Sequence, residues 1–451
     1  MEKLKQHPSE QHRNRISELL ESGRLYPVRR MLNALHPGEI AHLLESMPPA
    51  ERKLIWSLID QDIGGEVLVE LGDEVQAGLI DDMQPHELAA AAEGMEIDDL
   101  ADLIQNLPER LTNEILRLMS FQDRQRLEAV LAYEEDTAGG LMDTNTATVR
   151  ADVTLDVVLR YLQQRGELPL HTDSLIVVNR NEGYQGVLPL EILITAASDK
   201  TVAEVMSPNV SAIQDDMPAS EVAKTFEHRD LVSAPVINPA GRLVGRITVD
   251  DVVDIIREEA ERNLLSHAGL NEEDDMFSSV LHSTHRRAVW LGVNLMTAFL
   301  AAWVIGRFQA TLEQAVALAV LMPIVASMGG VAGTQTLTLV IRGLALDQIS
   351  SKNARWLLFK EMSVGFINGL LWAAVVAIVT ILWFENIQIG GIIAAAMVVN
   401  LICAAAAGVI IPLVLRNLSI DPALAGGVVL TTITDVVGFL TFLGLATIVL
   451  R

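Results

Sequence analysis

Hydrophobic residues follow two regimes along this 451-residue chain. In roughly the first two-thirds they recur at helical spacing in short amphipathic runs or as brief apolar strands; after that they form long unbroken stretches. Five stretches, 288–306, 314–341, 362–384, 386–415 and 422–450, are long and charge-poor enough to span a bilayer core of about 30 Å. Upstream, 1–133 reads as short amphipathic helices, and IAHLLESMP at 40–48 recurs as LADLIQNLP at 100–108, a 60-residue spacing that predicts an α-solenoid of stacked helix pairs. Two further repeats start at Met142 and Met206. Each reads as an extended run, an amphipathic helix, an apolar strand (174–179 or 234–238), a glycine turn (Gly186 or Gly245) and a second helix. The segment 252–286 predicts one long helix into the first apolar stretch.

Charge sharpens the division. The chain carries 33 Lys and Arg against 58 Asp and Glu, a net charge of −25, yet half its residues are hydrophobic, which excludes an acidic disordered chain. From 286 to 451 there are nine basic and six acidic residues; 1–285 carries 24 basic and 52 acidic ones. Nucleic acid is excluded as a partner, because phosphate binding runs on clustered cations; cations are the expected partners. The single cysteine, Cys403, permits no intramolecular disulfide and reads as a small residue in an apolar helix. The N-terminal MEKLKQHPSEQHRNR has no apolar signal region, so the acidic part is expected in the cytoplasm. Five crossings then place the C-terminus outside. Arg286, Arg287, Arg342, Lys352, Arg355, Lys360 and Arg416 fall inside against Arg307 and Arg451 outside, as the positive-inside rule requires. Trp303, Trp356 and Trp383 near predicted span ends suit interfacial anchors.

The candidate chemistry begins with Asp435, 14 residues beyond Asp421 and therefore about 21 Å into its helix. A carboxylate at that depth costs at least about 2.5 kcal/mol and should face the bundle interior with a partner or water. Thr431 and Thr432 precede it by four and three residues and share its face, and Thr434 adds a third hydroxyl. No Lys, Arg or His inside a span can act as counter-ion, and no other acid lies deep in one, so the missing counter-charge is read as a cation; a structural carboxylate between helices is the alternative. In 322–335, Pro323, Gly329, Gly330, Gly333 and Gln335 weaken a helix at membrane depth, where irregular backbone is tolerated only inside protein or along a wet cavity. Close helix packing is the other reading of those glycines.

In the acidic part, Asp98 and Asp102 share a helix face, and Asp251, Asp254, Glu258, Glu259 and Glu261, with the acids of 272–275, make the connecting segment acidic. Set beneath a membrane in a dimer, such a face repels itself unless divalent cations lie between the carboxylates, which suggests a switch. An enzyme is not expected: no nucleophile–base pair, phosphate loop or zinc-spaced histidine cluster occurs, and the ten histidines are scattered.

The two 60-residue repeats resemble tandem cystathionine-β-synthase (CBS) motifs, most specifically APVINPAGRLVGRITVDD at 234–251. That resemblance implies an adenine-nucleotide element at Gly245, Thr248 and Asp251, with ATP as a possible ligand, against the reading that Asp251 only starts a helix. The first repeat departs from the element, with Pro189 and Ile192.

The whole arrangement resembles the MgtE family of magnesium channels, on the Gly-rich element at 323–335, RGLA at 342–345, Asp421-Pro422 and TTITDVVG at 431–438. It implies a multidomain chain: an acidic α-helical N-domain of α-solenoid type (1–138), a tandem CBS α+β pair (139–200 and 201–257), a connecting plug helix (258–285) and a five-helix transmembrane bundle (286–451). It also implies a homodimer in the lipid of a bacterial inner membrane, passing Mg²⁺ and other divalents such as Co²⁺ past Asp435, Thr431 and Thr432. Cytoplasmic Mg²⁺ would close it through Asp98, Asp102, Asp230, Asp251, Asp254, Glu258, Glu259 and Asp421. Two departures stand out: Val331 and Thr334 where members often carry Asn, and Arg257, Arg262, Asn263 and Ser220 where the switch region is often more acidic. The rival readings are an ion-coupled divalent transporter and a membrane-anchored metal or nucleotide sensor without transport.

Overall fold

The computed structural model describes residues 15–450 except 17, 21, 93–94, 106, 108, 209, 267–268, 271–275, 278, 347, 351 and 419. The N-terminal 1–14 and the acids of 272–275 thus lie outside the described residues. The chain divides into two compact units, Met1–Ala260 with Glu273–Ser278, and Glu261–Glu272 with Ser279–Arg451.

In the first unit, short helices follow one another: α1 Leu25–Leu32, α2 Pro37–Glu45, α3 Pro49–Trp56, α4 Gln61–Val69, α5 Asp73–Ile80, α6 Pro85–Ala92, α7 Ile97–Gln105, α8 Glu109–Leu118 and α9 Phe121–Val130. α2 and α3 each begin with proline at the first turn, where its missing N–H has no helical partner to lose. The predicted sequence repeat corresponds to α2 and α7, and Leu44, Ile55, Leu68, Leu88, Leu100, Leu103 and Ile115 are fully buried along the stack. The two CBS-like repeats then build matching sheets. β1 Thr148–Arg150, β2 Ser174–Val178 and β3 Tyr184–Pro189 form one; β4 Ile213–Gln214, β5 Ser233–Ile237 and β6 Leu243–Thr248 form the other. In each, the first pair is parallel and the second antiparallel, with an irregularity after Val177 and, at the equivalent place, after Val236. The segment ahead of each repeat bridges the last strand of the other: Asp143 pairs with Arg246 and Ser207 with Val187. The core of the second repeat (Val236, Ile247, Val252) is continuous with that of the N-terminal helices, whereas the first repeat has its own core around Leu155, Leu175 and Leu188.

Helix α10 Val249–Ser266 follows β6 without a loop. It does not run to 286 as the sequence pattern predicts. Gly269 takes the left-handed conformation (φ +71°), its N–H bonding to Ser266 O and that of Leu270 to Leu265 O at 3.1 Å, a glycine stop of the Schellman type. Helix begins again at Val280.

The second unit contains five helices long and apolar enough to cross a membrane: α11 Val280–Gly306, α12 Val316–Ala345, α13 Ala354–Phe384, α14 Ile387–Asn417 and α15 Pro422–Val449. α14 is central, with α12, α13 and α15 packed on it and α11 on α15. A short helix, Gln309–Gln314, precedes α12, and its Thr311 hydroxyl meets that of Thr447 at 2.7 Å.

The expected irregular backbone at 322–335 is absent: the segment is continuous helix within α12, with Pro323 inside it. The glycines instead let helices approach. A methyl at Gly333 would lie 2.9 Å from a Leu430 methyl, and one at Gly408 2.9 Å from the Gly333 carbonyl oxygen, so close packing explains both. Gly330 faces open space.

Candidate functional site

Two constellations carry chemistry, one in each unit. In the first unit, α7 opens with three acids in four positions. Glu96, Asp98 and Asp99 each present a carboxylate oxygen within 4.8 Å of the others, and Asp98 is buried. Acids are favoured at a helix start because the first-turn N–H groups and the helix dipole attract them; that local preference gathers the charge. The start of α10 adds Asp250 and Asp251. Asp251 Oδ2 accepts the Thr248 N–H at 2.9 Å and its hydroxyl at 3.1 Å, so it caps α10 while lying among the acids of α7.

Burial and mutual repulsion push these carboxyls upward. Burial, then Asp251 and Glu96, raise Asp99 to about 8; burial, then Glu135, Glu258 and Asp251, raise Asp102 to about 7. Burial also dominates at Asp251, which stands at about 7 despite its bonds to Thr248, and at Asp98, held well above the carboxylate range. Glu96 is raised as well, by burial and then Asp143. Groups in this condition take up either protons or a cation at neutral pH. The donor set fits a hard divalent cation: oxygens bound directly to one Mg²⁺ at about 2.1 Å lie no more than about 4.2 Å apart. The Glu96, Asp98 and Asp99 oxygens, within 4.8 Å of one another, are close enough to share one such ion directly or through its water shell. Beside the cluster opens a crevice of about 580 Å³ lined by His86, Met95, Glu96, Met119, Arg126 and Asp143, among others.

Of the predicted sensor residues, Asp98, Asp102 and Asp251 come together, and the carboxylate of Glu258 acts on Asp102. Sequence reasoning missed Glu96, Asp99 and Asp250, although the run EIDDL at a helix start was a legible sign for the first two. The remaining residues lie elsewhere. Asp230 ends a helix, Ala219–Arg229, in the left-handed conformation and is exposed; Asp254 feels burial and then Glu70; Glu259 lies further along α10; and Asp421 caps α15 by accepting the Ala423 N–H at 2.8 Å.

The nucleotide element is engaged within the protein. A methyl at Gly245 would meet Met142 Sδ at 2.7 Å, and the Thr248 hydroxyl lies against Asp250 and Asp251. The adjacent Arg246 is buried, donating to Leu170 O at 2.6 Å, to the Thr172 hydroxyl at 3.3 Å and to Asp143 Oδ2 at 3.4 Å.

In the second unit, α15 carries Thr431, Thr432 and Asp435. Asp435 is half-buried and makes no hydrogen bond or ion pair among the described residues. The hydroxyls are committed to their own helix: Thr431 donates to Gly427 O and Val428 O (3.1 Å each), Thr432 to Val428 O (2.7 Å) and Thr434 to Thr431 O (3.0 Å). With these donations made to backbone carbonyls, Thr431 and Thr432 present lone pairs beside Asp435. Gln335 and Thr431 are exposed within the single chain. One further acid was missed. The third apolar helix starts at Ala354 instead of 362, which brings Glu361 into it; Glu361 is buried, paired with Lys360 and bonded by the Thr336 hydroxyl at 3.3 Å.

Comparison with known proteins accounts for this combination. Residues 322–445 match MgtE, a divalent cation transporter; 35–136 match the MgtE intracellular N domain, and 202–258 a CBS domain. A magnesium transporter MgtE from Thermus thermophilus is 30% identical over 441 residues, 97% of this chain and 98% of that protein. The chain belongs to the MgtE family. The Bacillus subtilis MgtE is 29% identical over 433 residues, 96% of each chain. A crystal structure of the cytosolic domain of the Mg²⁺ channel MgtE in complex with ATP aligns with a TM-score of 0.50 at 32% identity, covering 53% of this chain and 98% of that one. The helical N-domain, the CBS pair and five apolar helices of this MgtE chain agree with that assignment.

Proposed function

We propose that this MgtE chain works as a homodimeric channel that admits Mg²⁺ across a bacterial inner membrane, with its N-terminus in the cytoplasm. The observation that carries the reading is Asp435, a carboxylate without a partner among the described residues, flanked one turn earlier by hydroxyls that donate to their own helix and leave lone pairs free. A second copy of α15 would complete the lining and supply a second carboxylate. Mg²⁺ gives up water reluctantly and is commonly held by one or two carboxylates through retained waters, which suits such a pair. Co²⁺ would pass too, since carboxylates and water discriminate weakly among small divalent ions.

The acids of α7 and α10 act as the cytoplasmic sensor in this reading. Mg²⁺ binding between Glu96, Asp98, Asp99 and Asp251 relieves their repulsion, and so favours whichever conformation holds them together. ATP binding at the CBS pair is part of the proposal, supported by the ATP complex of the relative. The test is Mg²⁺ flux into liposomes containing wild-type protein or Asp435→Ala, with Mg²⁺ varied on the cytoplasmic face. Loss of flux in the variant and inhibition by cytoplasmic Mg²⁺ are expected; equal flux in both proteins would remove Asp435 from the path.

A further inference from the structure

Asn400 lies in the middle of α14 and has no exposed surface. Its Nδ2 donates to Val325 O on α12 at 2.9 Å, while Oδ1 has no partner among the described residues. Two glycines make room for this amide. A methyl at Gly329 of α12 would come within 2.3 Å of Nδ2, and one at Gly438 of α15 within 2.9 Å. The side chain therefore sits in the seam of three helices. Gly438 follows Asp435 by three residues on α15, hence on a neighbouring part of the same face.

Stability does not explain an amide here. Val325 O already serves as a helical acceptor and gains little from a second bond, while a buried oxygen without a donor is a cost that a leucine would avoid. A buried polar group retained at such a cost is suited to specifying one arrangement of helices over its neighbours. We propose that Asn400 is a positioning residue for the ion path: wedged between Gly329 and Gly438, its amide fixes the rotation and depth of α15, and with them the placement of Asp435. This rests on Asp435 lining the path.

The test uses the full-length protein in liposomes and reads the ratio of Mg²⁺ to Co²⁺ flux, which a change in the amount of folded protein leaves untouched. Asn400→Leu keeps the volume and removes the buried unpaired oxygen, so it should elute and melt like wild type while the flux ratio shifts at least about threefold. Gly438→Ala, which drives a methyl into the amide, should shift the ratio as well. Combined with Asn400→Ala it should shift it less than the product of the two single effects, because the shortened side chain makes room for the methyl. An unchanged ratio in Asn400→Leu, or effects that simply multiply in the double variant, would overturn the proposal. Asp435→Ala run alongside separates the two readings. Flux retained there defeats the assignment of the path, whereas flux lost there with an unchanged ratio in Asn400→Leu defeats only the role of Asn400.

Discussion

The Thr336 hydroxyl donates to the buried carboxylate of Glu361 at 3.3 Å and so joins α12 to α13 through a polar contact inside the apolar unit. Lys360, partly exposed, supplies the neutralising charge from the adjacent position. Glu361→Ala leaves Thr336 without its acceptor and opens a void, and should lower stability by about 2 kcal/mol or more. Glu361→Gln keeps an acceptor for Thr336 and should lose less than about 1 kcal/mol. Thermal melting of both variants in detergent checks the order; equal losses would mean that the contact with Thr336 contributes nothing.

The raised carboxyls of α7 and α10 set the sign of a pH dependence. A carboxyl whose folded-state pKa exceeds its unfolded value stabilises the fold below the unfolded value, and that contribution is lost as pH rises through the folded value. With Asp99 at about 8 and Asp102 and Asp251 at about 7, stability of the full chain without Mg²⁺ should fall as pH rises from about 5 to about 8.5. Millimolar Mg²⁺ should reverse much of the fall. Melting curves across that range, with and without Mg²⁺, give the answer, and a rise in stability with pH would contradict the arrangement.

Asp99→Asn removes one repelling charge and no cap, so two changes of opposite sign are expected. The variant should melt higher than wild type at pH 8 without Mg²⁺. It should also gain less from added Mg²⁺, because the cation loses one carboxylate. A gain from Mg²⁺ equal to that of wild type would place the ion elsewhere.

Arg246 and Asp143 are both buried and joined at 3.4 Å. Arg246→Met strands the Asp143 carboxylate and should cost about 3 to 5 kcal/mol. Adding Asp143→Leu to it should recover a large part of that loss, since no unpaired buried charge then remains. Chemical unfolding of the single and double variants decides; a double variant as unstable as the single one would show that the bonds of Arg246 to Leu170 and Thr172 matter more than the ion pair.

Much of this architecture was legible in the sequence because its signals are local. The five apolar helices begin and end within a few residues of the predicted spans, apart from the first and third, which each start eight residues early because charged or polar residues (Arg286 and Arg287; Arg355, Lys360 and Glu361) occupy their first turns. In the third helix that charged start concealed Glu361. The repeats announced two sheets of one topology, and Asp435 stood out because no other acid interrupts its helix. What periodicity cannot supply is which helix start meets which: Asp99 and Asp251 are about 150 residues apart, and only the shared core of the N-terminal helices and the second repeat brings them together. The glycines of α12 misled for a related reason. Glycine weakens an isolated helix, but Gly329 and Gly333 serve close approach by partners on α14 and α15, and the helix runs on unbroken through them.

The bonds that turn Thr431 and Thr432 back onto their own helix bear on traffic other than metal ions. Proton hopping through a hydroxyl needs it to donate along the path, and the Thr431 and Thr432 hydroxyls donate to Gly427 O and Val428 O instead. A hydrated divalent ion needs only acceptors. Along the path proposed above, these two hydroxyls would serve a passing metal ion as acceptors and take no part themselves in a proton relay.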